Sequence, residues 1–183
     1  MWYNKYIKHI LNRRIGDCVY EKGDLIIYGK QGVCRIENIG IININKKPSE
    51  KEYYTLNPVF MDGKTYVPVD TSIYMRHLIT LEEVKSLLSK IPDIETVVIE
   101  NKNIKQLTDY YKKTINEYTC DGLLQLICNL QAKQKLLSSQ KKQLGQTEQK
   151  YKKEAEDLLH QEFAAVLNVS QDEVIEYFAE HIK

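Results

Sequence analysis

The pattern of hydrophobic and polar positions changes near residue 80. Before this point, short runs of β-branched and aromatic residues alternate with turn residues, which is typical of strands in a small antiparallel sheet. After it, apolar residues recur every three or four positions, which indicates amphipathic helices. The pattern therefore predicts an α+β protein, with a strongly bent antiparallel sheet or barrel followed by a compact group of helices.

The strands are bounded by glycine, proline and charged residues. We predict them at 24–28, 33–39, 41–44, 53–56 and 64–69. Residues 46–51 contain Pro48 and several charges, so we interpret them as a hairpin loop. Pro68 has no N–H to donate, which places its strand end at a sheet edge or a bulge.

The helices are marked by capping residues. Thr80 and Glu83 form the pattern of a capping box, and the helix that they open should stop before Pro92. Ser170 and Glu173 repeat the pattern at the start of a last short helix. Between them we predict helices at 103–119, at 121–137 with Asp121 as the cap, and at 140–167 with Ser138 or Ser139 as the cap.

The net charge of +1 hides two blocks of opposite sign. Residues 102–153 contain 11 Lys and 4 acidic residues, a net charge of +7, whereas residues 154–183 contain 1 Lys and 8 acidic residues, a net charge of −7. A basic block of this size indicates either an anionic partner or a solvated helix surface, and the sequence leaves both open. Residues 1–18 have no continuous apolar core, so we do not expect them to be a secretory signal, and no apolar run is long enough to cross a bilayer.

No motif for catalysis stands out. The four histidines have no metal-ligand spacing, the four cysteines form no CxxC pair, and no serine lies in a GxSxG motif. Residues 29–32 lack the spacing of a phosphate-binding loop. We therefore expect a protein that is not an enzyme and that holds no metal and no cofactor.

An ordered set of short motifs carries a family resemblance. It begins at 20–39, where Gly23, Asp24 and Tyr28 precede Gly32-Val33 and Ile36-Glu37. It continues with Tyr-Tyr-Thr-Leu at 53–56, Val-Pro-Val-Asp at 67–70 and Met-Arg-His-Leu at 75–78. In this order and spacing the chain resembles the CarD/CdnL family, bacterial transcription regulators that bind RNA polymerase. The helical half resembles the family's second domain more loosely.

The resemblance implies an architecture and partners. It implies a Tudor-like β domain at 19–91 with a short closing helix, a helical domain at 92–183, and an extension of uncertain status at 1–18. The implied partners are the RNA polymerase β subunit and, weakly and without much sequence preference, promoter DNA. The implied location is the cytoplasm, at the nucleoid, with no membrane contact. The effect would be on the stability of the open promoter complex.

Two groups of site residues follow. The resemblance places the polymerase-binding edge at Ile41, Ile42, Asn43, Ile44, Lys64, Thr65 and Tyr66. The DNA-binding candidates are Lys102, Lys105, Leu107, Tyr110, Lys112, Lys113, Lys141 and Lys142. Leu107 stands where family members carry a tryptophan that wedges into the minor groove, but its apolar neighbours also suit a core position. A second hypothesis is a protein-interaction adaptor that does not bind DNA and dimerises through its helices.

Overall fold

A five-stranded antiparallel sheet precedes the helices, so the α+β prediction is confirmed. The structure, a computed structural model, describes residues 20–44, 46–99 and 103–181. The predicted extension at 1–18 lies outside these residues. The strands are β1 (Leu25–Tyr28), β2 (Val33–Ile44), β3 (Lys47–Pro58), β4 (Thr65–Pro68) and β5 (Met75–His77). Their order across the sheet is β4-β3-β2-β1-β5.

The hairpin of β2 and β3 is longer than its sequence pattern indicates. The prediction of a loop at 46–51 is wrong, because β3 begins at Lys47, whose partner in the register is Ile44. Lys46, with φ of 64°, occupies the turn instead. The end of this hairpin is largely exposed on both faces, so its strands carry no apolar alternation that would mark them. The predicted strands at 33–39 and 41–44 are one strand, which two register shifts interrupt.

One face of the sheet carries a small apolar core. Its cross-strand neighbours include Ile36 with Leu56, and Tyr54 with Val67. Pro68 ends the edge strand β4, so the edge position predicted for it is confirmed. The strand β5, for which no strand was predicted, pairs with β1 at the opposite edge. Three residues are too few to show a period.

Five helices follow within the described residues. They are α1 (Leu81–Lys90), α2 (Ile104–Asn116), α3 (Cys120–Ser139), α4 (Gln146–Leu167) and α5 (Gln171–His181). Both predicted capping boxes are present, at Thr80 and at Ser170. The cap of α3 is Thr119 rather than Asp121, since the Thr119 hydroxyl accepts from the Gly122 N–H.

The helix predicted at 140–167 begins later than expected. Gly145 is its N-cap, and Glu148 returns a side-chain bond to the Gly145 N–H at 3.0 Å. The chain leaves α3 through Lys141, which has a φ of 56°. Ser138 and Ser139 therefore belong to the end of α3 and cap nothing. The left-handed residue separates the two helices, and a lysine is not a residue that marks such a position in sequence.

The helix α1 packs with the other helices rather than with the sheet. Val84, Leu87 and Ile91 belong to the apolar core that α2, α3, α4 and α5 form. The short closing helix that we assigned to the β domain is thus part of the helical core. The packing changes at residues 78–80, where β5 has ended and α1 has not begun.

Candidate functional site

The outer edge of β4 presents main-chain groups without a strand partner. The Val69 N–H donates to Glu52 O at 3.1 Å, and the register pairs Val67 with Tyr54. Residues that bond inward alternate with residues that face outward in an antiparallel pair, so Tyr66 and Pro68 direct their main-chain groups away from β3. Pro68 has no N–H, and its position costs the sheet no ladder bond. The edge therefore offers the N–H and carbonyl of Tyr66 to an added strand.

The side chains of this edge divide between two faces. Tyr66 is 54% exposed and lies on the face opposite the small core. Thr65 points toward the core face, is half-buried and accepts a hydrogen bond from Gln31 Nε2 at 3.0 Å. Lys64 is exposed and forms an ion pair with Glu37, with an N–O distance of 2.5 Å. The hydrogen bond to Lys64 lowers the pKa of the Glu37 carboxyl.

The predicted docking residues do not form one edge. The strand β3 lies between β4 and β2, so the Ile41–Ile44 stretch is on the other side of the hairpin from Tyr66. Ile41 is 54% and Ile44 is 44% exposed, so neither side chain fills the core of the sheet. Ile42 is half-buried, its N–H donates to Ser49 Oγ at 3.1 Å, and Asn43 is exposed opposite Pro48.

The candidate lysines within the described residues are exposed. Lys102 lies outside the described residues. None of the remaining five forms an ion pair with a carboxylate in the described part of the chain, whereas several other lysines do. These five lie in two places, with Lys105, Lys112 and Lys113 on α2 and Lys141 and Lys142 in the loop before α4, and we call them together the basic surface. Unpaired lysines are free to contact an anion.

Leu107 is a core residue. It is 7% exposed and packs in the helical core with Tyr111 and Ile115. The wedge role required an exposed side chain, so Leu107 does not fit it. Ile104, one turn earlier, is 69% exposed because α2 begins there, beyond the part of the core that the later turns contact. Tyr110 is 40% exposed, and its ring lies against that of Tyr111.

A charged cluster that sequence reasoning missed joins the sheet to the helices. The guanidinium of Arg76, on β5, forms an ion pair with Glu162 on α4 and donates to Tyr118 O at 2.8 and 3.1 Å. Glu162 is 1% exposed and also accepts from the Ile79 N–H at 3.0 Å and from Cys120 Sγ at 3.1 Å. We call these residues the Arg76–Glu162 cluster. Residues 86 positions apart give no local signal of pairing.

The electrostatics of the cluster keep the guanidinium of Arg76 charged. Burial lowers the pKa of Arg76, but the hydrogen bond and charge of Glu162 outweigh burial and raise it overall. Burial and the neighbouring Glu162 raise the pKa of the Cys120 thiol well above its usual range. The guanidinium is therefore a permanent cation beside a neutral thiol.

The described residues contain no group of histidine, cysteine and carboxylate side chains that could hold a metal ion. His160 is 8% exposed, and burial lowers its pKa to about 4. Within the same residues, no helix has the length and apolar character to cross a membrane.

The sheet is the part of the chain that a known family describes. Residues 20–79 match the model of the CarD-like/TRCF RID domain. Domains of this family interact with the RNA polymerase β subunit. The match spans all five strands and ends before α1, so the resemblance is confirmed for the sheet and says nothing about the helices. No curated protein matches the chain.

Proposed function

We propose that this protein is a transcription regulator that docks on the RNA polymerase β subunit through the edge of β4 and contacts promoter DNA with its basic surface. The docking step rests on one observation above all. In a sheet that matches a polymerase-interacting domain, the outer edge of β4 has no strand partner and carries the exposed Tyr66 near its centre. An unpaired edge binds an added strand through main-chain hydrogen bonds, and side chains along it provide specificity.

The substitution Tyr66→Glu tests the docking edge. It removes an exposed aromatic group and adds a negative charge at the centre of the edge, so binding to the isolated β subunit should weaken tenfold or more, because aromatic anchors carry much of an interface's binding energy. Since Tyr66 is exposed, the melting temperature should not change. Ile175→Glu on α5, also an exposed apolar position, is the matched control.

A third variant separates the two sides of the hairpin. Ile41→Glu changes the stretch on β2 that β3 separates from β4. If Ile41→Glu abolishes binding and Tyr66→Glu does not, docking uses the β2 side and the proposal about β4 is wrong. Calorimetric titration of each folded variant with the β subunit gives the answer.

The DNA step rests on the five unpaired lysines of the basic surface. A lysine that neutralises a phosphate releases a counterion, so affinity falls as salt rises. Lysine is a point charge without the fork of arginine, which suits backbone contact better than base recognition. The proposed contact is therefore weak and largely independent of sequence, and it becomes effective once docking on polymerase makes it intramolecular.

Paired and unpaired lysines provide the test. The change of Lys112 and Lys113 to alanine should make the negative slope of log K against log salt shallower by about 1.8, since each lost phosphate contact removes about 0.9. The matched control changes Lys30 and Lys51, which are already paired with Glu154 and Asp70. Equal slopes for the two double variants would show that the lysines of the basic surface contact water and not DNA phosphates.

Ile104 is the residue that we propose for the apolar contact with DNA. It is exposed at the first position of α2, next to Lys105 on the basic surface. Apolar side chains such as isoleucine can insert between base steps and bend the duplex. Ile104→Ala should shorten the lifetime of the open promoter complex, whereas exposed Ile175→Ala should leave that lifetime unchanged.

The adaptor hypothesis remains the second candidate, because the burial of Leu107 removes the residue that best matched the family's DNA wedge. An adaptor would bind polymerase but would not shift a forked promoter fragment. Electrophoretic mobility of that fragment, with and without polymerase, distinguishes the two functions. A shift that depends on the basic surface excludes the adaptor.

A further inference from the structure

We infer that the Arg76–Glu162 cluster is a positioning device that holds the docking edge and the basic surface in one fixed relative orientation. The functional consequence of this inference rests on the proposed function, whereas the contacts of the cluster do not depend on it. Arg76 belongs to the sheet, and Glu162 belongs to the C-terminal half of α4. Tyr118 lies in the connection between α2 and α3, and Cys120 begins α3. The cluster thus joins the sheet to the connection between α2 and α3, to α3 and to α4. The lysines of the basic surface lie on α2 and in the loop between α3 and α4.

The guanidinium is bonded in several directions at once. Its Nε and Nη2 donate to Tyr118 O, its Nη1 donates to His77 O at 3.0 Å, and Nη1 and Nη2 each donate to one oxygen of Glu162. A planar fork held this way allows little rotation in its plane or out of it. Apolar contacts, in contrast, are not directional, and surfaces held only by them can slide.

Other contacts between the two parts include one ion pair with an exposed lysine, Lys30 with Glu154, and close packing. Gly32 approaches α4 so closely that a Cβ there would lie 2.2 Å from Gln161 Oε1 and 3.6 Å from the Leu158 side chain. The rings of Tyr74 and Tyr118 stack at 5.1 Å. These contacts hold the sheet and the helices together, and the hydrogen bonds of the Arg76–Glu162 cluster fix their relative orientation.

Fixed orientation has a functional consequence. Docking raises the effective concentration of the basic surface at the promoter only when both contacts can form at once. A loosened junction would leave each separate affinity intact and reduce the gain that docking brings. This pattern differs from the effect of a residue that only stabilises the fold.

The test replaces both charges together. Removing one partner leaves a buried charge unpaired, whereas replacing both with apolar side chains of similar volume is often neutral for stability. The test variant is Arg76→Met with Glu162→Met. The matched control is Lys30→Met with Glu154→Met, which removes another ion pair between the same two parts, but one in which the lysine side chain is 55% exposed. Both variants keep the net charge of the chain.

Two readouts decide the inference. Pulsed spin-label measurements between Asp62→Cys and Asp172→Cys, in a background with Cys18→Ser, report the distance between the sheet and α5. We expect one narrow distribution for the wild type and the control, and a broadened or shifted one for the test variant. The gain in DNA affinity on polymerase docking should fall tenfold or more in the test variant alone, as expected when a tether loses its geometry. Affinities for DNA and for the β subunit alone should stay within twofold.

The outcomes separate the inference from the proposed function. A test variant that keeps the wild-type distance distribution overturns the inference. If the wild type does not bind polymerase, the proposed function is wrong, and the distance distributions alone decide the positioning role. If the double variant does not fold, Arg76→Lys keeps the charge but loses the fork. It should broaden the distribution, and an unchanged distribution would again overturn the inference.

Discussion

Cutting Leu107 to alanine should destabilise the helical core far more than the same change at Ile104. The two residues lie one turn apart on α2, but Leu107 is 7% and Ile104 is 69% exposed. A buried leucine cut to alanine costs about 2–5 kcal/mol, and we expect about 3 kcal/mol here. Because Ile104 is only about a third buried, its change to alanine should cost about a third as much, or about 1 kcal/mol. The better helix propensity of alanine offsets part of it and leaves about 0.5 kcal/mol.

Urea unfolding at pH 7 measures the difference. With a denaturant slope of about 2 kcal/mol/M, the midpoint should fall by about 1.5 M for Leu107→Ala and by about 0.2 M for Ile104→Ala. Leu107→Trp should also lower the midpoint, since overpacking a filled core costs about 1–3 kcal/mol. Equal shifts for the two alanine variants would show that the described packing of α2 is wrong.

Three further predictions concern stability. Because burial lowers the pKa of His160 from 6.5 to about 4, the unfolded chain binds a proton below pH 6.5 that the folded chain does not. Stability should fall by up to about 3 kcal/mol between pH 6.5 and 4, and His160→Leu should lose this part of the fall in urea titrations at several pH values. The nearby Asp157 opposes this shift and Lys152 adds to it. Gly32→Ala should lower the melting temperature, because the φ of Gly32 is +72° and the added Cβ would meet Gln161. The control is Gly145→Ala, since Gly145 has a negative φ. Thr80→Ala should cost about 1 kcal/mol in chemical denaturation through loss of the capping box, and Thr80→Ser should retain most of it.

The sequence predicted correctly the features that depend on residues close together in the chain. The capping boxes at Thr80 and Ser170 depend on residues three positions apart, and both were found from spacing alone. The edge position of Pro68 follows from its missing N–H, whatever strand lies beside it. The boundary between α3 and α4 was placed too early, because a left-handed lysine at 141 breaks the helix without a glycine to mark it.

The sequence predicts less well which side chains of a helix are buried. Ile104 and Leu107 are similar in character and fit the same apolar stripe by spacing. Packing against the other helices covers Leu107 and not Ile104, and no window of sequence around α2 contains that information. The proposed apolar contact with DNA therefore moved from Leu107 to Ile104 only when the packing was known.

The sequence by itself determined the α+β order, the resemblance of residues 20–79 and the basic block, because these depend on composition and short-range pattern. Tertiary structure alone decided which strand edge stays unpaired, which lysines lack a carboxylate partner and how the sheet joins the helices. Each of these depends on residues far apart in the chain, as with Arg76 and Glu162, whose pairing requires the sheet and α4 to meet. Such contacts form only when the whole chain has folded, so no local pattern encodes them.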